Sequence, residues 1–500
     1  DKLAKELISQ KYIILSTGGT AKFLTANKIK NIAISDFTEF EEILEGRVKT
    51  LHPKIHAGIL AKNQSSLSNL KKLDYCLIDM VVVNLYPFEN TISKKNCTFE
   101  NAIENIDIGG PTMLRAAAKN HQRVTVVTEP DDYDKIINEL KVSHKVSSQT
   151  RLQLAKKVFK KISAYDAKIF EYLDNKDSIL KNTFPEILDI RLNKKNQLRY
   201  GENPHQKSAI YKIQNSKISG FDYNQIAGKD LSYNNLVDTE SALSCVKQFK
   251  KPACVIVKHA NPCGVAESDS LLKSYNLAFK TDPTSAFGGI LAFNKKLDSK
   301  LLNKIISQQF VEVIVAPKYE GKCAEIIKKK PNIRLLEIRE FSNSGSRIEM
   351  KTLQNKVLIQ ETDSMALTKK DLNVVTIKKP TANQINDLLF AFKVARYVKS
   401  NSIVFAKNGR TLGIGAGQMS RIDSTNIAKT KAKNHGISLK GCVMASEAFF
   451  PFRDNVDLAK KIGVTAIIQP GGSIKDQDII DVVNSHKMSM VLSGVRVFKH

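Results

Sequence analysis

The apolar residues from residue 12 to about residue 127 occur in short runs separated by stretches with helical spacing. The runs YIIL, NIAI, DMVVVNLY and RVTVV are typical of buried strands, and the segments AKFLTANK and PTMLRAAAKNH are typical of helices. Strands that alternate with helices usually form a parallel sheet covered on both faces. The pattern therefore predicts an α/β domain built on a parallel sheet in this part of the chain.

The pattern becomes helical from residue 131 to about residue 181, where YDKIINEL and TRLQLAKKVFKKISAYDAKIFEYL carry apolar residues at three- and four-residue spacing. The polar stretch NTFPEILDIRLNKKNQLRY then has the composition of a connection between domains. A chain of 500 residues is too long for one hydrophobic core. We therefore predict a first domain at residues 1–190 and a second region at residues 191–500.

The second region continues the α/β pattern. Its apolar runs ACVIV, GGILAF, FVEVIVA and VTAIIQ predict buried strands, and SALSCVKQFK and LLNKIISQQF predict helices. The segment SIVFAKNGRTLGIG predicts a hairpin, because Asn408-Gly409 between two apolar runs suits a tight turn. The lysine-rich segment from residue 320 to residue 350 predicts an excursion on the surface. No internal repeat is evident by eye, although two similar α/β layers would fit between residues 200 and 500.

Composition narrows the class of protein. Lys and Arg number 77 against 50 Asp and Glu, a formal net charge of +27, yet the lysines are spread along the chain and no nucleic-acid-binding motif accompanies them. No apolar run approaches the roughly 20 residues that span a bilayer, and no signal-peptide pattern opens the sequence. Seven scattered cysteines without a CxxC pair disfavour disulfides and a structural zinc. We expect a cytoplasmic globular protein with no nucleic-acid or membrane partner.

Three segments of the first domain are candidates for binding an anion. ILSTGGTAKFL places a glycine turn before a helix, whose unpaired N–H groups form an anion cradle, although the same residues are ordinary capping chemistry. GRVKTLHPKIHAGIL concentrates cations between two glycines, which favours a shaped binding loop over a solvated surface. NIDIGGPTMLRAAAKNH places Asp107 before two glycines at a helix start. Tyr86 ends an apolar strand, where sheets place ligands, although a buried tyrosine is commonly structural.

The stretch ACVIVKHANPCG carries the strongest chemical signal of the second region. Five apolar residues that predict a buried strand end at Lys258 and His259, followed by Asn-Pro-Cys-Gly turn chemistry. An imidazole can move a proton at neutral pH, so His259 is a candidate general base; a Lys-His pair that only faces water is the alternative. HANPC also resembles part of the signature of zinc-dependent nucleobase deaminases, but the Glu of that signature is absent and Cys263 has no partner cysteine. A catalytic metal is therefore disfavoured.

Ten segments in order along the chain resemble one protein family. They are STGGTAK, GRVKTLHPKIHAGIL, VVVNLYPF, NIDIGGPTMLRAAAKNH, LRYGENPHQ, KHANPCG, DPTSAFGGI, KSN, GAGQMSR and FFPFRD. Together they closely resemble the bifunctional purine biosynthesis enzymes that join AICAR transformylase and IMP cyclohydrolase, and the likeness covers essentially the whole chain. The resemblance implies a cyclohydrolase domain similar to methylglyoxal synthase, with a parallel sheet. It also implies a transformylase region of two cytidine-deaminase-like α/β layers without the zinc, with an internal boundary near residues 355–375.

The resemblance implies two consecutive reactions. A formyl group passes from 10-formyltetrahydrofolate to the 5-amino group of AICAR, which gives formyl-AICAR and tetrahydrofolate, and ring closure with loss of water then gives IMP. The resemblance implies no catalytic metal, leaves a monovalent cation open, and implies a homodimer whose transformylase sites use both chains. An aromatic amine is a poor nucleophile, so the first reaction needs proton removal coupled to attack and support for the developing oxyanion.

By motif match, the resemblance implies roles for residues of both domains. In formyl transfer, His259 would accept the proton, Lys258 would assist it electrostatically and Asn401 would orient the formyl group. The positions that would hold the nucleotide or border the folate are Arg199, Tyr200, Asn235, Phe287, Arg421, Phe449, Arg496 and, with a less defined role, Asp454. In ring closure the catalytic positions would be Lys49, Tyr86, Asp107 and Lys119, with the proton steps left open among the lysines and the aspartate. Phosphate-side contacts would come from Ser16, Gly18, Gly19, Thr20, Arg47 and Thr50.

The sequence departs from the family at its first residues. Family members begin with a strand and a Ser-x-Ser-Asp-Lys turn that also contacts the phosphate, whereas this sequence begins at Asp1-Lys2 and continues into LAKELISQ. Either that segment is missing from this sequence or the Asp-Lys pair is its remnant, and phosphate affinity in the first domain depends on the answer. Two alternatives to the bifunctional enzyme follow: a transformylase with an impaired cyclohydrolase domain, and a non-catalytic protein that binds anions or nucleic acid.

Overall fold

A computed structural model describes residues 1–62, 64–177, 184, 186–213, 222–338 and 348–500. The chain folds into two units, Asp1–Asp189 and Ile190–His500. Both units combine helices with strands, and parallel strand pairs occur in each, which confirms the predicted α/β fold class. The assignment of one activity to each unit stays a prediction.

The first unit is mainly helical and carries two short pairs of strands. Its strands are β1 (Leu15–Ser16), β2 (Ile32–Ala33), β3 (Met80–Val82) and β4 (Thr125–Val127). Its helices are α1 (Lys2–Ser9), α2 (Gly18–Ala26), α3 (Ile34–Thr38), α4 (Pro53–Leu60), α5 (Gln64–Lys72), α6 (Phe88–Ile92), α7 (Phe99–Glu104), α8 (Gly109–Lys119), α9 (Tyr133–Ser143) and α10 (Ser148–Asp177). β1 pairs with β2 and β3 with β4, both in parallel, so each predicted apolar run contributes to a strand shorter than the run itself.

Helix α8 lies in the core of the first unit. Its Leu114 and Ala117 are fully buried, in one cluster with Val126 of β4 and Val158 of α10. The run of three alanines in α8 lets the neighbouring elements approach closely, because a methyl group adds little bulk to the helix. α8 is therefore fixed in place, and its amino end presents the Asp107 segment at a defined position.

The second unit contains sixteen strands and nine helices within its described residues. The strands are β5 (Leu192–Gln197), β6 (Ala209–Ile213), β7 (Tyr223–Ala227), β8 (Ala253–Lys258), β9 (Asn261–Glu267), β10 (Gly289–Phe293), β11 (Val311–Ala316), β12 (Arg334–Ile338), β13 (Ile348–Leu353), β14 (Lys356–Glu361), β15 (Asn373–Val374), β16 (Ile403–Lys407), β17 (Arg410–Gly415), β18 (Val443–Ser446), β19 (Ala466–Gln469) and β20 (Ser489–Leu492). The helices are α11 (Tyr233–Val246), α12 (Leu271–Thr281), α13 (Pro283–Ala286), α14 (Ser299–Gln308), α15 (Cys323–Lys328), α16 (Ala382–Ala395), α17 (Arg421–Asn434), α18 (Asp454–Ile462) and α19 (Asp476–Ser485).

A 12-stranded sheet organises the second unit, in the order β15-β20-β19-β18-β16-β17-β9-β8-β10-β11-β12-β7. We call β7 to β12 the first half of this sheet and β15 to β20 its second half. Each half contains an antiparallel hairpin, a third strand antiparallel to that hairpin, and two further strands parallel to the third. The halves join where β9 pairs with β17, so the sheet is continuous across them.

The two halves are an internal repeat. Adding 149 to the residue numbers of α11 gives those of α16, and the same offset relates the turn between β8 and β9 to the turn between β16 and β17. Each helix begins with a capping box, formed by Ser232 and Asn235 in the first half and by Thr381 and Gln384 in the second. Two similar α/β layers are therefore present in the second unit.

The lysine-rich segment from residue 320 to residue 350 is not an excursion as a whole, so that prediction was wrong for part of it. Leu335, Leu336 and Ile338 of β12 are buried, and β12 lies between β11 and β7. The apolar run RLLEI supplies a buried strand, while the lysines just before it belong to α15 and the turn that follows. Residues 339–347 of the segment lie outside the described residues.

Candidate active site

The turn between β8 and β9 presents the strongest sequence candidate. His259 and Ala260 form this turn in the left-handed conformation, with φ of 53° and 57°. The sequence predicted the turn at Asn-Pro-Cys-Gly instead, and that prediction was wrong, because these four residues open strand β9. Gly264 is required there by packing, since a Cβ on it would collide with the carbonyl oxygen of Ala278 in α12.

Asp238 of α11 binds the backbone of this turn. Its two carboxylate oxygens accept hydrogen bonds from the N–H of His259, at 3.2 Å, and from the N–H of Ala260, at 2.7 Å. Burial raises the pKa of Asp238, and these backbone hydrogen bonds oppose that rise. Residues with a side chain beyond Cα lose stability in the left-handed region, so the turn needs contacts of this kind.

Replacing Ala260 with glycine tests how much the turn is strained. Because glycine adopts positive φ without the steric cost of a Cβ, Ala260→Gly is expected to raise the free energy of unfolding of the second unit by about 1 kcal/mol. The reverse change in the second half, Gly409→Ala at φ of 68°, is expected to lower it by a similar amount. Urea unfolding of both variants measures the effect, and a neutral or destabilising Ala260→Gly would contradict it.

A cavity of about 350 Å³ adjoins the turn and takes residues from both halves of the sheet. Its lining residues are Lys258, His259, Asn261, Pro262, Cys263, Thr281, Asp282, Ser285, Ile414, Ala416, Gln418, Ile427 and Lys431. Burial raises the pKa of Cys263 to about 12, so this cysteine lines the cavity as a neutral thiol. The nucleophilic and charged groups of the cavity are therefore Lys258, His259 and the groups around Asp282.

An ion pair between the two halves lies in this cavity. The Lys431 ammonium is 2.7 Å from the buried Asp282 carboxylate, and His435 contacts the same carboxylate at 3.2 Å. Burial alone raises the pKa of Asp282, but hydrogen bonds from Lys431 and Ser285 outweigh it and lower the pKa overall. Asp282 is therefore a carboxylate at neutral pH, which compensates a positive charge inside the cavity.

Lys258 lies beside His259 but its ammonium is already bonded. Lys258 Nζ donates a hydrogen bond of 2.6 Å to the carbonyl oxygen of Phe287. The Phe287 ring is 60% exposed and contacts the Phe310 ring at 5.7 Å between centroids. The structure thus brings together Lys258, His259 and Phe287, which the sequence predicted for one site.

A second cluster joins Asn401, Arg421 and Phe449. The Asn401 side-chain amide donates to the carbonyl oxygens of Gln418 and Met419, both at 3.0 Å, and its Oδ1 accepts from Arg421 at 2.8 Å. Arg421 also donates to the carbonyl oxygen of Phe449. Because Gln418 lines the cavity, this cluster borders the same site. In this arrangement the polar atoms of Asn401 hold the neighbouring loop.

Glu447 binds the second cluster through a buried carboxylate. It is fully buried, forms an ion pair with Arg421 at 2.9 Å, and accepts hydrogen bonds from Ser400 and Ser402. The sequence analysis overlooked Glu447. A single acidic residue between the apolar run VMAS and the segment AFFPF is the signal that could have identified it.

Neutralising Glu447 tests this anchor. Glu447→Gln keeps the shape but leaves the buried Arg421 guanidinium without its counter-charge, so we expect a loss of about 2 kcal/mol in the free energy of unfolding. The matched control is Glu320→Gln, because Glu320 pairs with Lys296 on the surface, where both side chains are more than half exposed. Urea unfolding compares the two, and equal effects would contradict a structural role for the buried pair.

A third cluster surrounds the amino end of α11. The Arg199 guanidinium lies over the Tyr200 ring at 5.4 Å, and Asn235 donates a hydrogen bond of 2.7 Å to Glu312. The charges of Arg199 and Glu312 both act on the pKa of the buried Arg334, which burial lowers. Glu312 and Arg334 were missed by the sequence analysis, although Glu312 is the lone charge in the run FVEVIVA.

The remaining two candidates of the second unit lie beside the second cluster. Val497, which follows Arg496, donates its N–H to the carbonyl oxygen of Glu447. Asp454 accepts hydrogen bonds from Asn455, and Asn455 in turn accepts one from Thr425, one turn after Arg421 in α17. The described contacts therefore place both candidates near Arg421 through their sequence neighbours.

In the first unit, the GRVKT loop, residues 46–50, lies against the start of α8 and the helix α7 before it. Arg47 forms an ion pair with Glu104, and Gly109 packs against the Thr50 hydroxyl so closely that a Cβ would collide with it. Lys49 lies between these two contacts in sequence, with its ammonium 3.6 Å from a Glu42 carboxylate oxygen. The loop and the Asp107 segment therefore form one surface.

Hydrogen bonds fix Asp107 at the start of α8 and against Tyr165. Asp107 Oδ1 accepts a hydrogen bond of 2.8 Å from the Gly110 N–H, and the Asp107 N–H donates one of 2.8 Å to the Tyr165 hydroxyl oxygen. Burial is the main cause that raises the pKa of Tyr165; the hydrogen bond from the Asp107 N–H opposes the rise, and the charge of Asp107 and, least, Tyr86 add to it. The sequence analysis did not identify Tyr165.

Lys119 lies apart from this group. It ends α8, while Asp107 precedes its first turn, and a rise of about 1.5 Å per residue separates the two ends of this helix by about 15 Å. Lys119 instead lines a cavity of about 190 Å³ with Lys62, His121 and Gln122. Its membership of one catalytic constellation with Asp107 stays a prediction that these contacts do not support.

The glycine turn before α2 has the conformation that the sequence predicted for a helix start. Gly18 and Gly19 begin α2, Gly18 has a φ of 44°, and a Cβ on either would meet open space. Thr20 lies in the first turn of α2, and Ser16, buried at the end of β1, donates a hydrogen bond to Asn31. The N–H groups at this helix end remain a candidate anion cradle.

The described part of the chain contains neither a cluster of metal ligands nor a helix that could span a membrane. No group of three or more His, Cys, Asp or Glu side chains there is placed to hold a metal ion. Among the described helices, none combines the length and apolar character needed to cross a membrane.

Comparisons with known proteins match both units. The model of the AICARFT/IMPCHase bienzyme family matches residues 117–431, more than half of the chain, and the MGS-like domain model matches residues 1–112. A solved structure described as the crystal structure of ForH is 33% identical to this chain, over 34% of this chain and 90% of its own length, with a TM-score of 0.31. The chain therefore belongs to the AICARFT/IMPCHase bienzyme family and is an enzyme of purine biosynthesis.

Proposed function

We propose that the protein catalyses both reactions that give the family its name. Its second unit transfers a formyl group from 10-formyltetrahydrofolate to AICAR, and its first unit closes the product to IMP with loss of water. The observation that carries this proposal is the cavity lined by both halves of the sheet, where His259 and Lys258 lie beside the ion pair of Asp282 and Lys431.

Formyl transfer requires a bond between the AICAR amine nitrogen and the formyl carbon while the bond from that carbon to the folate nitrogen breaks. The amine proton must leave and the folate nitrogen must gain one. His259 lines the cavity and its imidazole can carry that proton, as a base toward the amine and then as an acid toward the folate. Arg421 and Arg199 are the cations proposed to hold the nucleotide. Arg421 belongs to the cluster that borders this cavity, and Arg199 belongs to the cluster at the amino end of α11.

Ring closure requires the carboxamide nitrogen to attack the formyl carbon and a hydroxyl to depart as water. In the first unit, the proposed catalytic groups are Lys49, Tyr86, Asp107 and Lys119. The GRVKT loop, which carries Lys49, packs against the start of α8 beside Asp107, which supports the proposal for these two residues. Arg47, Thr50 and the N–H groups at the start of α2 are the proposed phosphate contacts. The homodimer, which the resemblance implies, and the cytoplasmic location, which the composition indicates, stay predictions. Whether a monovalent cation is bound stays open.

One turnover experiment tests the proposal. The protein is mixed with AICAR and 10-formyltetrahydrofolate, and formyl-AICAR and IMP are separated by chromatography over time. Formation of IMP through transient formyl-AICAR supports the bifunctional enzyme. Accumulation of formyl-AICAR without IMP would support a transformylase with an impaired cyclohydrolase, and no turnover would overturn the proposal in favour of an anion-binding protein.

A further inference from the structure

The internal repeat provides a built-in comparison for the His259 turn. In the second half, Asn408 and Gly409 occupy the positions of His259 and Ala260, and Asp387 occupies the position of Asp238. Asp387 accepts hydrogen bonds from the N–H groups of both turn residues, each at 2.9 Å, as Asp238 does in the first half. The aspartate that binds the turn is therefore part of the framework that both halves share.

The two turns differ in how well their residues suit the left-handed conformation. Asn-Gly is the dipeptide that this hairpin turn favours, because asparagine tolerates positive φ and glycine adopts it freely. Ala260 has no such preference, unlike Gly409 at the equivalent position, yet His259 and Ala260 adopt the same conformation, with φ of 53° and 57°. The Asn408–Gly409 turn has residues that suit its conformation, whereas Ala260 in the equivalent turn does not. Residues that suit their backbone conformation poorly are typical of functional sites.

The first half also has a contact to the turn that the second half lacks. The Ser241 hydroxyl, on α11, donates a hydrogen bond of 3.0 Å to the carbonyl oxygen of Ala260. The equivalent position in α16 is Phe390, a buried aromatic residue without a hydroxyl. Three hydrogen bonds from one helix thus hold the His259 turn, against two in the other half.

We propose that Asp238 and Ser241 are positioning residues that hold the His259 backbone in the left-handed turn from which its imidazole reaches the cavity. This inference rests on the proposed function, in which His259 carries the proton of formyl transfer. A misplacement of about 1 Å at a reacting group lowers a rate by about 100-fold, so loss of these bonds affects turnover more than substrate binding.

The test compares matched aspartates in the intact protein. Asp238→Asn and Asp387→Asn each weaken the same pair of backbone hydrogen bonds, so both are expected to lower the melting temperature to a similar extent. Only Asp238→Asn is expected to lower kcat of formyl transfer, by about 10- to 100-fold, with KM for AICAR within about threefold of the parent value. Asp387→Asn is expected to keep kcat within about twofold.

Ser241→Ala provides a second, milder variant if Asp238→Asn does not fold. It removes one hydrogen bond to the turn and is expected to lower kcat by about three- to tenfold with little change in melting temperature. Equal kcat in the two aspartate variants, or an unchanged kcat in Ser241→Ala, overturns the inference. An unsubstituted protein that forms no formyl-AICAR overturns the proposed function instead, so the two failures are distinguishable.

Discussion

Replacing His259 with alanine or asparagine is expected to lower the rate of formyl transfer by about 10²- to 10⁴-fold, the range that general acid–base groups contribute. Asparagine is the sharper variant, because the second half of the sheet carries Asn408 at the equivalent position in the same left-handed turn. His259→Asn therefore removes the imidazole while the backbone conformation is retained. Formyl transfer is followed with AICAR and 10-formyltetrahydrofolate as substrates.

The same His259 variants are expected to close supplied formyl-AICAR to IMP at an unchanged rate, because ring closure is assigned to the other unit. His486→Ala is the matched imidazole control, since His486 contacts Asp457 on the surface of the second unit. It is expected to keep formyl transfer within about twofold. Full formyl transfer by His259→Asn, or loss of both reactions, would exclude His259 as a group specific to the first reaction.

Replacing Lys49 with alanine is expected to produce the reverse pattern, with ring closure slowed by about 100-fold and formyl transfer unchanged. Lys49 is the cation between two fixed contacts of the GRVKT loop, the Arg47 ion pair and the packing of Thr50 on Gly109. Its side chain is 24% exposed, so the ammonium is partly shielded from water and interacts more strongly with a bound anion. The rate of IMP formation from formyl-AICAR measures the effect.

Lys141→Ala is the control for Lys49→Ala. Lys141 lies on α9 of the same unit, is 62% exposed, and only approaches Glu6 at 4.0 Å. We expect it to leave ring closure within about twofold, because an exposed ion pair at this distance contributes little. If Lys49→Ala closes formyl-AICAR at the parent rate, the surface formed by the GRVKT loop and the Asp107 segment is not the cyclohydrolase site.

The strands that could be predicted were those with a simple local signal. ACVIV and GGILAF are continuous apolar runs, and FVEVIVA is interrupted only by Glu312; the strands they form, β8, β10 and β11, lie inside the sheet. The Asn408-Gly409 turn was predicted because its residues suit the turn locally. β12 was not predicted because lysines precede its apolar run. β9 was not predicted because it contains a Pro and a Gly, residues that usually end strands, and Gly264 is explained only by the packing of α12 against it.

The candidate site divides in the same way. Lys258, His259 and Asp107 could be proposed from their motifs, since each follows an apolar strand or precedes a helix. Asp238 could not, because its importance depends on the backbone groups that lie opposite it after folding. Glu447 carries a local signal as a lone acidic residue between apolar segments, but its partner Arg421 is known only from the fold. Lys119 could also be proposed from its motif; it ends α8, at the opposite end of the helix from Asp107, and its catalytic role stays a prediction.

The pairing of β9 with β17 joins the two halves of the sheet and has a consequence for any attempt to divide the second unit. Thr281 from one half and Thr411 from the other share a buried hydrogen bond at this junction, and the Asp282 carboxylate of one half depends on the Lys431 ammonium of the other. A fragment holding only one half would expose a bare strand edge to other chains and leave a sequestered charge without its counter-ion. We therefore expect neither half to fold as an isolated fragment.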